Sequence, residues 1–143
     1  MMTVEAATMT AHGVDDLETV REYLWKKHKY RVPPRFTHAC LLWDHVDEII
    51  GAATYNLTGE FMYHTHRPHR DMPDHKEMGV RCYNLVMHQF YEVDGIDALR
   101  SHIAPRKGHA KGHVEKYTQV ELPGSTDDGW DVEITKQDWL NTL

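Results

Sequence analysis

The 143 residues carry a formal net charge of −6, and 41% of them are hydrophobic. This composition supplies one hydrophobic core and excludes a disordered chain, so we expect a single domain over residues 1–143. The acidic balance disfavours nucleic-acid binding, because no excess positive charge is available to attract phosphates. The two cysteines are too few for a disulfide scaffold, and neither a signal-peptide pattern nor an apolar run of about 18 residues is present. We therefore expect a cytoplasmic protein without a membrane span.

The first half of the chain predicts one helix followed by three strands. Apolar residues recur at helical spacing over residues 14–29, with acids at the start and lysines at the end, which is typical of an amphipathic helix. Pro33 and Pro34 then require a loop. Runs of β-branched, aromatic and small apolar residues, separated by polar turns, indicate three antiparallel strands. These strands span residues 37–43, 48–56 and 61–66.

The second half predicts two helices and three shorter strands. Residues 67–79 hold two prolines, a glycine and mostly charged residues, so we expect a loop there. The helix after this loop should end before Gly95, since glycine is favoured just past a helix. Thr135 with Asp138 resembles a helix N-cap that opens a final turn. The other predicted bounds are a helix over residues 80–93, a strand over 96–104, a short helix over 109–116 and strands over 117–122 and 130–134.

This order of elements predicts the α+β fold class, with a mixed, largely antiparallel central sheet flanked by helices. From Val14 to Leu143 the order resembles that of the GNAT acetyltransferase superfamily. Two stretches carry the same resemblance: Ile49–Ala53 is similar to the family's third strand, and Asp131–Leu140 is similar to its closing segment. The resemblance implies acyl transfer from acetyl-CoA to an amine acceptor, either a small molecule or a protein.

The stretch Lys76–Arg81 is similar to the family's coenzyme motif, in which N–H groups at a helix amino terminus bind the pyrophosphate. Lys76 and Gly79 match the first and fourth positions of that motif, whereas Arg81 stands where the family has a small residue. The resemblance implies that Lys76, Gly79, Val80 and Arg81 bind acetyl-CoA. Without the resemblance, one glycine before a helix is more often a plain turn.

His64 and His66 fall on one face of the third predicted strand, because alternate residues of a strand share a side. The resemblance places this strand at the reaction centre, where one of the two imidazoles would accept the proton of the amine. The same pair, together with His69 or His75, would also suit a zinc, nickel or iron ion. The tyrosine that the family uses as general acid has its nearest counterpart in Tyr117, three residues further along the chain.

Departures from the family pattern leave a second class of function open. The large Arg81 and the displaced Tyr117 would fit a GNAT-shaped protein without catalysis, acting by binding another macromolecule. Such a protein would suit a phage or mobile element and would bind a host protein. A third alternative is a small protein with a histidine-ligated metal ion.

Two other features have simpler interpretations. The most basic stretch, residues 102–116, is either a solvated surface or a contact for coenzyme phosphates or an anionic partner such as RNA. The four tryptophans are expected to anchor the core or an interface.

Overall fold

The computed structural model describes residues 10–14, 17–43, 48–65, 75–103, 114–115 and 129–143. Their helices and strands are β1 Thr10–Val14, α1 Leu17–His28, β2 His38–Trp43, β3 Ile49–Tyr55, β4 Phe61–Thr65, α2 His75–His88, a π-helix Gln89–Val93, β5 Ala98–Ile103, β6 Trp130–Thr135 and α3 Lys136–Leu140. Within these ranges no helix has the length and apolar character needed to cross a membrane.

Six strands form two antiparallel sheets that meet at one point. β1, β2, β3 and β4 are neighbours in that order, and β5 pairs with β6. The register places Ala52 of β3 opposite His64 of β4. Among the described residues, one isolated parallel bridge joins Glu60, just before β4, to Arg100 of β5. β4 and β5 therefore run in the same direction and are connected through α2, which must run back along them as a crossover helix.

Helices cover both faces of the larger sheet, because each helix has one apolar side. On α1, Val20, Tyr23 and Leu24 are buried, which is the i, i+3, i+4 spacing of one helix face. The α1 core contains Val20, Leu24, Ala39, Leu41 and Ala52. The opposite face of the sheet belongs to a larger core shared with α2, β5, β6 and α3. That core includes Cys40, Ala53, Cys82, Val86, Phe90, Leu99, Ile134 and Trp139.

Gly59 fixes the point at which the two sheets meet. Its φ is +96°, a left-handed conformation, and a Cβ added there would lie 2.1 Å from the carbonyl oxygen of Ala98. The Gly59 carbonyl accepts a hydrogen bond from the Arg100 N–H at 2.7 Å. Asn56 shapes the same turn, because its side-chain oxygen accepts a hydrogen bond from the Glu60 N–H at 3.2 Å. Only glycine fits this close approach between the turn and β5.

The end of α2 is held by buried polar contacts. The π-helix closes with a bond from the Asp94 N–H to the Gln89 carbonyl, five residues earlier. The Tyr55 hydroxyl donates to the Asp94 carboxylate. Burial, followed by this hydrogen bond, raises the pKa of Tyr55 above its ordinary value. A Cβ at Gly13 would lie 2.8 Å from the Gln89 Nε2 atom, so the chain of β1 passes close to the buried Gln89 amide.

The structure confirms the α+β fold class and most predicted elements. The first predicted helix and the three strands of the meander are present, with bounds within a few residues of those expected. Gly95, with φ of +71°, follows the helical segment as predicted. Thr135 and Asp138 form a capping box, in which each side chain accepts a hydrogen bond from the other residue's backbone N–H.

Two predicted boundaries are wrong. The loop expected over residues 67–79 is helical from His75 onward, since α2 begins there. Lysine, glutamate and methionine favour a helix, and together they outweigh the cost of the single Gly79. The helix expected to begin at Val14 begins at Leu17 instead, and Val14 ends β1. The sequence did not predict β1, because five residues that include a glycine give a weak strand pattern.

The last predicted strand is present as β6. β6 lies antiparallel to β5, with Ile103 opposite Trp130. The strand predicted over residues 117–122 lies outside the described residues. Of the short helix predicted over residues 109–116, the structure describes Val114 and Glu115, which are helical.

Candidate active site

The side chains of β4 point alternately to the two sides of the sheet, where the two cores lie. Phe61 packs against Phe90 in the larger core, with ring centroids 5.3 Å apart, and Tyr63 contacts the same core. Because side chains alternate along a strand, Met62 and His64 point to the α1 side of the sheet. The prediction that His66 shares this face with His64 stays a prediction, because His66 lies outside the described residues.

His64 lies in an aromatic cluster built by the end of α1 and the chain that follows it. Its ring centroid is 4.5 Å from that of Tyr30 and 5.2 Å from that of His28. The Tyr23 hydroxyl lies 3.3 Å from the His28 Nε2 atom, within hydrogen-bond distance. Burial raises the pKa of Tyr23 to about 12, so this hydroxyl stays protonated at neutral pH. His64 is half-buried, and its Nδ1 atom is buried.

A fixed carboxylate lies at the beginning of the same strand. The Arg35 Nε atom donates to both oxygens of Glu60, at 2.9 and 2.7 Å, and the Asn56 amide donates to one of them at 3.2 Å. The hydrogen bond from Arg35 holds the pKa of Glu60 below its usual value, so Glu60 is a carboxylate at neutral pH. Glu60 and Arg35 also act electrostatically on Tyr30, the residue whose ring packs on His64.

β4 and β5 separate beyond their bridge. They are joined at Glu60 and Arg100, and their described residues form no further backbone pair. His64 and Thr65 lie at the other end of β4, beyond the bridge. A crossover helix begins at the edge where the preceding strand ends, so we expect the amino terminus of α2 near this carboxyl edge. Unbonded N–H groups of a helix amino terminus bind anions.

The predicted coenzyme residues lie in the first two turns of α2. Gly79 is buried and is the fifth residue of the helix, whereas Val80 is half-buried and Arg81 is exposed. Only the first four N–H groups of an α-helix lack an intrahelical partner, so the anion-binding N–H groups precede Gly79. The assignment of Lys76, Gly79, Val80 and Arg81 to the coenzyme stays a prediction.

Several predicted residues fall outside the described ranges. His66, His69 and Tyr117 belong to this group, so their roles remain predictions. His75 begins α2. In the described part of the chain, no group of three or more His, Cys, Asp or Glu residues is arranged to hold a metal ion. The alternative metal site depends on His66 and likewise remains a prediction.

Sequence reasoning missed the residues that surround His64. His28 and Tyr30 come from α1 and from the chain after it, and neither has a local motif. Trp25 is 43% exposed, so it does not anchor the core, and its expected role at an interface stays a prediction. The signal that could have found this region is the run of aromatic and basic residues from Trp25 to Arg31, just before the two prolines.

The comparisons with known proteins give structural matches alone. No protein-family model matches the chain, and no curated protein matches it. One matching structure is a mutant form of the spermidine/spermine N-acetyltransferase SpeG from Vibrio cholerae, with 15% identity, a TM-score of 0.57, and coverage of 94% of this chain and 98% of that chain. Another is the N-acetyltransferase PseH from Campylobacter jejuni, with 14% identity, a TM-score of 0.57, and coverage of 90% and 99%. The chain therefore has the GNAT fold, as the sequence resemblance implied.

Proposed function

We propose that the protein is an N-acyltransferase that moves an acyl group from acetyl-CoA to an amine. The observation that carries the proposal is the position of His64, on β4 beyond the Glu60–Arg100 bridge, where β4 and β5 separate. The structures that share this fold are described as N-acetyltransferases, and the description of one names spermidine and spermine. Their fold supports the reaction class, and the imidazole supplies a group that the reaction requires.

The arrangement of β4, β5 and α2 supports binding of an acyl-CoA. An extended thiol chain would lie beside the edge of β4 beyond its bridge to β5, and the amino terminus of α2, which follows β4 in the chain, would bind the pyrophosphate. When bound, acetyl-CoA supplies an acetyl thioester. Lys76 and Arg81 would add positive charge beside its phosphates, and Gly79 and Val80 would complete the contact.

His64 would act as the general base. The amine nitrogen loses one proton as it forms the amide bond, and the His64 Nε2 atom would accept that proton. Tyr30 and His28 would hold the imidazole in place, since both rings pack on it. His66 is the alternative base, and Tyr117 would return a proton to the leaving thiolate.

Substitution of His64 tests the proposal. We expect His64→Ala to lower kcat by roughly 10²- to 10⁴-fold, the usual contribution of a general base, with acetyl-CoA affinity nearly unchanged by calorimetry. The matched control is His88→Ala, because His88 is an exposed histidine at the end of α2. An unchanged rate in His64→Ala would move the base elsewhere, with His66 next to test. Failure of acetyl-CoA to bind at millimolar concentration would overturn the proposed reaction.

A further inference from the structure

A groove adjoins the His64 cluster on the α1 side of the molecule. It has a volume of about 440 Å³ and is open to solvent. This volume lies in the range of small-molecule sites, which is about 300 to 1,000 Å³. Tyr30 belongs to both features, since it lines the groove and packs on His64. The groove is lined by Arg21, Trp25, Tyr30, Arg31, Val32 and Pro34.

The lining combines positive charge with an apolar wall. Arg21 and Arg31 line the groove, and none of its described lining residues is acidic. The Arg31 guanidinium lies 4.5 Å from the centre of the Trp25 ring, and the Lys29 Nζ atom lies 5.3 Å from it. The Arg21 guanidinium lies 3.2 Å from a carboxylate oxygen of Glu18. Because this ion pair is exposed to solvent, it offsets little of the positive charge of Arg21. Arg31 has no carboxylate within ion-pair distance in the described part of the chain.

We propose that the groove selects an amine acceptor that carries an anionic group, a carboxylate or a phosphate, on an apolar body. This proposal rests on the proposed function and names the substrate class of the same site. The guanidinium of Arg31 would pair with the anion, and Trp25, Val32 and Pro34 would pack against the apolar body. The amine would then extend past Tyr30 toward His64. A polycation without an anionic group, such as spermidine, would be repelled by the same positive charges.

Matched pairs of acceptors test this selection. Glycyl-phenylalanine and its amide both have a free amine and an aromatic ring, but only the first has a carboxylate. Tyramine O-phosphate and tyramine form the corresponding phosphate pair. With acetyl-CoA saturating, we expect kcat/KM of the anionic member to be about tenfold higher or more in at least one pair, mainly through a lower KM. The pair that shows the difference identifies carboxylate or phosphate. A difference below about twofold in both pairs would overturn the proposal, as would a higher kcat/KM for spermidine than for either anionic probe.

Variants of the groove assign the effect to its charges. Arg31→Gln should raise KM for the anionic probe about tenfold and leave KM for its neutral partner unchanged, whereas Arg31→Lys should keep much of the preference. Lys26→Gln is the control, because Lys26 is an exposed lysine of α1 that pairs with Glu22 and does not line the groove. An unchanged preference in both Arg31→Gln and Arg21→Gln would contradict the assignment.

A binding measurement separates this proposal from the proposed function. Trp25 lines the groove and is partly exposed, so an aromatic anionic probe should change its fluorescence without any acyl transfer. The Trp25→Phe variant shows which part of the signal comes from this residue. Saturable binding of the anionic probe without turnover would support the groove and overturn the acyltransferase. Turnover of amines without preference for the anionic probes would support the acyltransferase and overturn the proposed selection by the groove.

Discussion

The rings of Tyr30 and His64 are tilted by 36° to each other, with their centroids 4.5 Å apart. Tyr30 belongs to the chain after α1, so this contact connects a loop to β4, at the edge of the larger sheet. The ring restricts the orientations that the imidazole can adopt, which is the condition for a proton acceptor to work at a fixed distance.

Removal of the Tyr30 ring should therefore impair the chemical step. We expect Tyr30→Ala to lower kcat about tenfold, because His64 loses the surface that orients it. Tyr30→Phe keeps the ring and should keep kcat within about twofold. Steady-state kinetics over pH 6 to 9 checks both variants, and equal damage by the two would assign the role to the Tyr30 hydroxyl.

Gly59 and Gly95 allow a direct comparison of two glycines in left-handed conformations. A Cβ at Gly59 would collide with the Ala98 carbonyl oxygen, whereas a Cβ at Gly95 would meet nothing within 4 Å. We expect Gly95→Ala to lower the free energy of unfolding by about 1 kcal/mol, the cost of a left-handed backbone conformation in alanine. Gly59→Ala should lower it by at least twice as much, because the added Cβ also collides. Urea unfolding monitored by circular dichroism measures both free energies. Equal losses would show that the approach of the turn to β5 is not tight.

Alkaline pH should destabilise the fold. Burial raises the pKa of Tyr23 and of the Cys40 thiol to about 12 each, from ordinary values of 10.0 and 9.0, and also raises the pKa of Tyr55, Tyr83 and Tyr91. Because these groups keep their protons longer in the folded state, their contribution is complete below the unfolded values and is lost as pH rises toward the folded ones. We expect the free energy of unfolding to begin to fall near pH 9 and to lose about 1.4 kcal/mol per pH unit for each group that ionises only when unfolded.

Unfolding in urea at a series of pH values from 7 to 11 measures this dependence. Tyr23→Phe is the matched variant, since it removes one titrating hydroxyl and keeps the ring. Above pH 10, the free energy of unfolding of Tyr23→Phe should fall less steeply with pH than that of the parent chain. The difference should be about 1.4 kcal/mol per pH unit, the contribution of one titrating group. A slope that is the same in both proteins would mean that Tyr23 ionises equally in the folded and unfolded states.

The capping box of α3 should contribute measurably to stability. The Thr135 hydroxyl accepts a hydrogen bond from the Asp138 N–H at 3.1 Å, and the Asp138 carboxylate accepts one from the Thr135 N–H at 2.9 Å. We expect Thr135→Ala to lower the free energy of unfolding by about 1 kcal/mol, and Thr135→Ser to lower it by less. Chemical unfolding at neutral pH checks the pair. The helix carries the buried Trp139, so a null result would mean that packing alone holds it.

The sequence predicted the parts of this structure that depend on local patterns. The apolar spacing of α1, the alternation in β4 and the capping box at Thr135 each follow from residues close together in the chain. The surroundings of His64 do not, because His28 and Tyr30 reach it only through the way α1 packs on the sheet. Likewise, Gly59 looks like any turn glycine until Ala98, far along the chain, is seen to approach it.

The π-helix also fixes the length of the chain between α2 and β5. Gln89, Phe90 and Tyr91 are buried in succession, and Asp94 must then meet the Tyr55 hydroxyl. Deletion of one residue, even the exposed Glu92, would return the turn to α-helical bonding and rotate Asp94 by about 100° around the helix axis, away from Tyr55. Substitution of Glu92 leaves that geometry intact. This segment should therefore accept changes of residue type at Glu92 but no change in the number of residues.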